Sequence, residues 1–442
     1  MAAIITKSLS IMAAEQIYKS VPTANLYLVI GRTAAWNAND TPNAVSNTIT
    51  HTNDFWQHAY AAKKITANDL RLAVRRIDWT ANTVYDMYRH DDEGLYGKNF
   101  YVVTDEYNVY KCLYNNFGAN STSKPTYTTP DAKSTESDGY IWKYLYTVPT
   151  TDRVRFLTDD WLPIRTLTVD NGDTQWNVQE SAVYGAIDIV ELKTVGNGYW
   201  NTASVNVAVA GDGADFSAIV TSNTANGNSL SQIIVLNPGT GYTYATVNIS
   251  GGGSQFGSNG QGATANAIIS PYGGHGFDPV EELGASTIIV SAKLQGSESN
   301  TFSVVNDFRQ IALVKDPISA FTGNVVSNTY FTQSRDCTLV GVGTDYQIDE
   351  IVYQGGGLAN ATFLGTVLDW NSVTNVLRLT NTRGAPSAKR LVGATSFSER
   401  FLLTSKIPDV VIGSGKILYK EDRAPISRSA DQTEEFKIII KF

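Results

Sequence analysis

Three adjacent carboxylates, Asp91, Asp92 and Glu93, have the residue type that hydrolases use for acid-base catalysis. Glycoside hydrolysis needs two carboxylates that are held across a sugar-sized gap in a cleft. Neighbouring side chains that precede Gly94 on one exposed turn do not provide that gap. The run therefore indicates a solvated turn.

Histidine and cysteine could also carry chemistry, but the chain has four histidines and two cysteines. His51 and His58 are seven residues apart (58 − 51) and could share a helix face, yet a third ligand at metal spacing is missing and His90 lies in another segment. Cys112 and Cys337 offer neither a disulfide framework nor a Cys-rich metal site, and Cys112 is typical of a small core residue. We therefore predict no metal site, no cofactor and a reducing compartment.

Arg75, Arg76 and Asp78 lie in and after the alternating run 70–79, which predicts a strand. The two guanidinium groups could bind an anion or an acidic substrate. An exposed strand face with one local ion pair is the commoner arrangement of such residues, and it is the one we expect.

The run 140–148 places a row of four aromatic side chains on one face of a predicted strand. Such a row could be a sugar platform, or it could be the seam against a second sheet or a partner subunit, which is more common in sheets. The row consists of Tyr140, Trp142, Tyr144 and Tyr146.

Composition and charge restrict the function further. The 442 residues are enough for several structural units with sizeable cores. The formal charge is −8, and because neutralising phosphates needs a basic face, we expect no nucleic-acid partner.

No window approaches the roughly 18 apolar residues of a membrane-spanning helix, and Glu15 interrupts the weak apolar run at the start. We therefore expect no membrane insertion and synthesis in the cytoplasm.

Periodicity predicts a few short helices among many strands. Helical spacing of apolar residues predicts an amphipathic helix over 10–20 and a short helix over 54–62. The continuous apolar run 25–30 is typical of a strand buried on both faces, and 100–104 with 109–114 is typical of a β-hairpin.

The last seven residues alternate apolar and basic side chains, the pattern of a half-buried strand. Its apolar face carries Phe436, Ile438, Ile440 and Phe442. We expect this strand to form a closing hairpin with 416–419, joined through the turn-prone segment 421–425, and to share a sheet with 25–30. The polar run 431–435 is interpreted as a solvated loop in which Asp431 or Thr433 caps a turn.

An internal repeat occupies the Gly-rich and Ala-rich region from about 190 to 276. Its two Gly-x-Gly-Tyr elements, which end at Tyr199 and Tyr242, are 43 residues apart (242 − 199). Each copy predicts turn, strand, turn and strand, with glycines where φ must be positive or two backbones must pass closely. The pair resembles the glycine-rich β-repeat of phage structural proteins.

We predict a mainly β fold: a multi-layer β-sandwich core with nested β modules and a few short helices. Short strands at regular spacing in a second insert suggest a small barrel. The predicted segments are the N-terminal part of the core at 1–189, the repeat module at 190–276, the core continuation at 277–324, the small barrel at 325–396 and the closing hairpin at 397–442.

Several separated blocks of the chain resemble a baseplate wedge subunit of contractile-tailed bacteriophages. They are 31–37, 75–79, 109–113, 138–145, 306–314 and the C-terminal segments 421–426 and 431–435. The motif residues are Gly31, Arg32, Trp36, Arg75, Arg76, Asp78, Trp79, Asp138, Gly139, Tyr140, Trp142, Arg423, Pro425, Asp431, Gln432, Thr433, Glu434 and Glu435.

The resemblance implies a structural subunit of the virion, in the tail baseplate, which is made in the host bacterial cytoplasm and is not an enzyme. It implies a homodimer that binds other baseplate wedge proteins and takes part in the rearrangement that triggers sheath contraction. The alternative is a receptor-binding or carbohydrate-binding tail component, which would use the Tyr-rich strands and the glycine-rich module. A cell-wall-degrading enzyme would need a carboxylate pair or a metal triad that the sequence does not offer.

The cysteines give the first testable prediction. The double variant Cys112→Ser, Cys337→Ser should fold and assemble like the parent, because neither residue has a disulfide partner within reach in the sequence. Thermal unfolding with and without oxidant measures this. The prediction would be contradicted if the oxidised parent were more stable than the double variant by about 2–5 kcal/mol and if this difference disappeared without oxidant.

Overall fold

The computed structural model describes residues 6–130, 133–223, 227–253 and 259–442. The prediction of a mainly β chain is confirmed. The chain divides into two compact units, of which unit 1 holds the chain up to Glu15, Arg71–Ile289 and Ile439–Phe442, and unit 2 holds Gln16–Leu70 and Val290–Ile438.

The helices are short and the strands carry most of the regular structure. The α-helices are α1 (Lys7–Ser20), α2 (Ile49–His58), α3 (Thr150–Phe156), α4 (Thr174–Glu180), α5 (Pro279–Glu282) and α6 (Glu298–Thr301). The strands are β1 (Leu26–Gly31), β2 (Ala59–Ile65), β3 (Leu70–Arg75), β4 (Tyr101–Val103), β5 (Asn108–Asn115), β6 (Lys133–Thr135), β7 (Tyr140–Thr147), β8 (Trp161–Ile164), β9 (Ile187–Asn197), β10 (Val205–Gly211), β11 (Ala214–Asn223), β12 (Ser229–Thr240), β13 (Ala245–Gly251), β14 (Gln261–Ile269), β15 (Thr287–Gln295), β16 (Phe308–Lys315), β17 (Tyr330–Thr332), β18 (Arg335–Val340), β19 (Ile351–Gly355), β20 (Ala361–Asn371), β21 (Val376–Gly384), β22 (Arg390–Gly393), β23 (Glu399–Lys406), β24 (Lys416–Ile426) and β25 (Thr433–Lys441).

The centre of unit 2 is a five-stranded sheet with the order β17-β2-β1-β16-β24. Every residue of β1 is buried, as its continuous apolar run predicted. Tyr27, Val29 and Val314 pack with Phe55 and Trp56 of α2 in one core cluster. Fully burying a side chain of this size contributes about 1.5–3 kcal/mol, so α2 is held to the sheet by its two aromatic residues.

The predicted C-terminal hairpin is wrong. β24 is the edge strand next to β16, whereas β25 lies beside β15 in a different sheet, which also separates the chain end from β1. The segment 421–425 forms no turn, because it continues β24 and pairs with β16 through Ile311 opposite Glu421 and Gln310 opposite Asp422. Of the four residues predicted for the apolar face of β25, Phe436 and Ile438 are buried, whereas Ile440 is half-buried and Phe442 is exposed. The solvated loop predicted over 431–435 is wrong in its second half, because β25 begins at Thr433 and Glu434 is buried. An alternating pattern specifies a buried face and leaves the partner strand undetermined.

The predicted helix over 54–62 is also displaced. α2 spans 49–58, and Ala59 begins β2, which pairs antiparallel with β1. The aromatic residues that suggested the helix do lie on it, but the following alanines complete the central sheet. Pairing with β1 outweighs the helical propensity of those alanines.

Unit 1 contains a four-stranded sheet with the order β4-β5-β7-β6. The hairpin of β4 and β5 is confirmed, with Tyr101 opposite Lys111. The aromatic row of β7 is buried along its whole length, so it is an internal seam and presents no surface to a sugar. Within it the Trp142 ring stacks on Tyr140 at a centroid distance of 5.6 Å, and the edge of Tyr85 completes the group at 5.6 Å.

The repeat module in unit 1 is built from three antiparallel pairs, β9 with β14, β10 with β13 and β11 with β12. The first copy contributes β9, β10 and β11, and the second contributes β12, β13 and β14. Each pair therefore joins a strand of one copy to a strand of the other. Both repeat tyrosines, Tyr199 and Tyr242, are buried in the shared core.

A small closed barrel in unit 2 has the strand order β18-β21-β20-β19-β22-β23. Its interior contains Cys337, Leu339, Val352, Phe363 and Leu377. Its last strand ends at Lys406, beyond the predicted end of this module at 396. β17, which the prediction placed within the barrel segment, belongs to the five-stranded sheet.

Glycines against the repeat tyrosines give the second prediction. A Cβ atom on Gly260 would lie 2.2 Å from the Tyr199 ring, and one on Gly213 would lie 2.5 Å from the Tyr242 ring, so each Gly→Ala change should destabilise the module by about 1–3 kcal/mol. Gly253→Ala is the matched control, because a Cβ atom there meets no atom of the described residues within 4 Å. Denaturant unfolding of the full chain measures all three. Equal midpoints for the three variants would show that the glycines are not packed against the tyrosines.

Candidate functional site

The first block of motif residues lies where β1 ends, in unit 2. Gly31 stands at a β-bulge, where a Cβ atom would lie 2.7 Å from the carbonyl oxygen of His58. Arg32 follows with a φ of 60°, and its N–H donates to the same carbonyl over 3.0 Å. This turn places the Arg32 guanidinium 4.0 Å from the centroid of the Trp36 ring and 3.3 Å from the Asp54 carboxylate.

Trp36 joins this block to the C-terminal one. Its indole N–H donates to the carbonyl oxygen of Arg423 in β24 over 2.9 Å, and its backbone N–H donates to the Asp40 carboxylate over 3.0 Å. Asp40 also accepts from Arg309 of β16, at 2.7 Å from Nη2 and 2.8 Å from Nε. Three distant segments are thereby bonded to one another through side chains.

Gln310 extends the network across the sheet. It is fully buried, and its amide N–H₂ donates to Asp422 over 3.1 Å and to Asp54 over 3.4 Å. We call the whole set the strand-end cluster. It consists of Arg32, Trp36, Asp40, Asp54, Arg309, Gln310, Asp422 and Arg423.

The electrostatics of the strand-end cluster favour ionised carboxylates. A hydrogen bond from His58 lowers the pKa of Asp54 to about 2, with the charges of His58 and Arg32 acting in the same direction and burial opposing them. A hydrogen bond from Arg309 lowers the pKa of Asp40. Neither acid is set to donate or accept a proton near neutral pH, so the arrangement is suited to holding strands and loops together.

A second set of motif residues meets in unit 1. Arg76 forms the expected local ion pair with Asp78 over 2.9 Å. The Trp79 indole donates to the Ser121 hydroxyl over 3.2 Å, which in turn donates to Asp138 over 3.2 Å. The blocks 75–79 and 138–145 are therefore connected through one serine.

Asp138 organises the loop around it. Its carboxylate accepts from the N–H groups of Ser123, Tyr140 and Thr122, over 2.9, 3.1 and 2.6 Å. Burial alone would raise the pKa of Asp138, but these donors hold it below its ordinary value. Gly139 follows with a φ of 83°, where a Cβ atom would lie 2.8 Å from the Asn116 side chain.

The remaining motif residues are divided between an ion pair and the surface. The Glu434 carboxylate accepts from the buried guanidinium of Arg428 over 2.9 Å, and Glu435 accepts from Ser291 over 3.3 Å. Arg75 donates to the carbonyl of Lys98 over 3.1 Å. Exposed side chains at the other positions are Pro425, Asp431, Gln432 and Thr433.

Sequence reasoning missed several of the most buried polar residues. Arg309 lay within a recognised block, but Asp40 stood in a loop rich in Asn and Asp with no signal for its partner. Lys111 and Glu282, which contact each other, and Arg428 were not singled out. A charged residue inside an apolar run, as in Val109-Tyr-Lys-Cys-Leu113, was the available signal for Lys111.

Two features, a metal-binding cluster and a membrane-spanning helix, are absent from the described residues. No group of three or more His, Cys, Asp and Glu side chains in these residues is placed to hold a metal ion. No helix in the described part of the chain has the length and apolarity needed to span a membrane.

Comparison with known proteins adds no assignment. No protein-family model matches the chain, and no curated protein matches it either.

The Asp54 carboxylate gives the third prediction. Its folded pKa is lowered from 3.8 to about 2, so the stability it contributes is present above 3.8 and is lost as the pH falls through about 2. Asp54→Asn should therefore flatten the fall of unfolding free energy with acid in this window, and the exposed Asp431→Asn should not. Denaturant unfolding at a series of pH values measures the slopes. Identical slopes for the parent and Asp54→Asn would contradict the assignment.

Proposed function

We propose that the chain is a structural subunit of the tail baseplate wedge of a contractile-tailed bacteriophage. It acts through protein-protein contacts in baseplate assembly and in the rearrangement that triggers sheath contraction. The observation that carries the proposal is the strand-end cluster. In it, three blocks that carry the resemblance and lie far apart in sequence, 31–37, 306–314 and 421–426, bond directly to one another. Trp36 donates to the carbonyl of Arg423, Arg309 donates to the carbonyl of Thr33, and Gln310 donates to Asp422.

The second pair of blocks supports the same proposal. Trp79 and Asp138 are joined through Ser121 within unit 1, so the resemblance covers residues that contact one another in each unit.

The barrel surface of unit 2 supports a role in protein contacts. Val340 of β18 pairs directly with Phe401 of β23, and both side chains point outward, 45% and 47% exposed. Leu403, two residues along β23, is 62% exposed. Outward apolar side chains that adjoin one another on a small barrel mark an interaction surface. We assign this barrel stripe, Val340, Phe401 and Leu403, to contact with another wedge protein.

The carbohydrate-binding alternative loses one of its two supports, because the aromatic row of β7 is buried. A glycan would have to use the repeat module. Homodimer formation is part of the proposal. The barrel stripe is assigned to another wedge protein and not to the dimer contact.

The fourth prediction tests the proposed function. In the phage that encodes this chain, the gene is deleted and variants are supplied in trans. Phe401→Ser with Leu403→Ser should reduce infectious titre by at least tenfold and leave incomplete baseplates in electron micrographs, because the stripe loses its apolar contacts. Val169→Ser is the control, since Val169 is 67% exposed and lies in unit 1, outside the barrel.

Both purified variants should melt like the parent. Mass spectrometry of purified parental particles should find the chain, and a density map should place it in the baseplate. A chain that is absent from particles, or particles that assemble normally without it, would refute the proposed function. A normal titre with the stripe variant alone would refute only the stripe.

A further inference from the structure

Lys111 and Glu282 form a buried pair in unit 1. Lys111 lies in the middle of β5, between β4 and β7, and its side chain has no exposed surface. Glu282 is the last residue of α5, and its side chain is 1% exposed. The Lys111 ammonium and the Glu282 carboxylate contact each other directly. A single lysine and a single glutamate are thus isolated from water, side by side.

The groups around this pair are arranged for acyl chemistry. The N–H of Gly276 donates to Oε1 of Glu282 over 2.6 Å, on the oxygen that does not face the lysine. Gly276 has a φ of 92°, and a Cβ atom there would lie 2.5 Å from Val178, so the turn that aims this N–H requires glycine. A fixed N–H on a carbonyl oxygen stabilises the oxyanion that forms when a nucleophile attacks the carbon.

An aromatic residue and a histidine enclose the lysine. The Tyr88 ring centroid is 4.8 Å from Nζ of Lys111, and the same ring meets His275 edge-on at 5.0 Å. His275 is buried, and its Nδ1 has no hydrogen-bond partner among the described residues. Burial, with the nearby charges of Lys111, Lys143 and Lys133, lowers the pKa of His275, so the imidazole is neutral and can accept a proton or a water hydrogen.

Burial changes the balance between the ionic and neutral forms of the pair. It lowers the pKa of Lys111 and raises the pKa of Glu282, both of which favour an amine beside a carboxylic acid. In water the ionic forms are hydrated and do not condense. In this dry site that hydration is absent, and Nζ of Lys111 is held against Oε2 of Glu282, next to the carbon that it attacks.

We propose that Lys111 and Glu282 condense to an intramolecular amide, an isopeptide crosslink. A proton passes from the ammonium to Oε2 of Glu282, and the Nζ lone pair then attacks Cδ, with Gly276 N–H holding the negative Oε1. Collapse of the adduct breaks the Cδ–Oε2 bond. Oε2 takes a second proton from nitrogen and leaves as water, so the reaction needs no oxidant, reductant or cofactor.

The crosslink would close a covalent loop around residues 112–281, which contains the whole repeat module. This inference is independent of the proposed function. The pair of Lys133 and Asp188 provides an internal comparison, because these groups are 2.7 Å apart but 29% and 15% exposed. Because water reaches both of these side chains, they should stay non-covalent.

The test uses the full chain, purified and denatured. Its intact mass should be lower than the sequence mass by one water, and protease digestion should give one branched peptide that joins the segment around Lys111 to the segment around Glu282. Tandem mass spectrometry locates the bond. In Lys111→Met the full sequence mass should return, whereas Lys133→Met should still show the loss of one water.

An intact mass that equals the sequence mass in the folded, purified parent would overturn the inference, and so would a lost water located at any other pair. If Lys111→Met fails to fold, the branched peptide of the parent decides alone. Folding of the parent is checked by thermal unfolding of the same preparation before denaturation.

Discussion

Ionisable side chains removed from water dominate the design of both units. In unit 1 the pair of Lys111 and Glu282 is completely enclosed, and in unit 2 the Arg428 guanidinium has no exposed surface and is bonded to Glu434 and to the carbonyls of Gly296 and Ser303. Removing Glu434 would leave an uncompensated buried charge on Arg428, at a cost of about 3–5 kcal/mol. Each pair therefore specifies a single packing: β5 must lie under α5, and the loop before β25 must fold back on the chain after β15. An apolar core alone would tolerate shifts that these charges forbid.

The same constraint explains what could be predicted from the sequence. Periodicity located β1, β5 and β7 well and placed Phe436 and Ile438 of β25 on a buried face, since a buried face is a local property of the chain. It failed for the partner of β25, because residues 421–425 pair with β16 and do not form a turn. It also failed for the end of α2, because the alanines after His58 pair with β1. Both errors concern the element against which a segment packs, and that information lies in another part of the chain.

At the candidate site, too, local sequence patterns were recognised and long-range contacts were not. The motif blocks were found from sequence, but the bond from Trp36 to Arg423 spans 387 positions and no local pattern announces it. Asp40 was one of several polar residues in a loop, and only its contact with Arg309 distinguishes it. Lys111 interrupts an apolar run, but nothing near it in the sequence identifies its partner Glu282, which lies 171 positions away. Long-range polar contacts thus decide which of many similar residues matter.

The two copies of the repeat module depend on each other for their packing. Its copies are interleaved, since every strand pair draws one strand from each, so neither copy can bury its own tyrosine without the other. Its two ends are adjacent: Ser270 donates its N–H to the carbonyl of Ala186 over 2.8 Å, and Ala186 donates to the Ser270 hydroxyl over 3.0 Å. A chain that leaves and re-enters its unit at one point can gain or lose a module with little change to the strands around it. The natural boundary of the module is therefore the bonded pair Ala186 and Ser270. The residues between these two ends pack against one another in a core of their own. This separate core explains why the amino-acid composition changes sharply near residue 190.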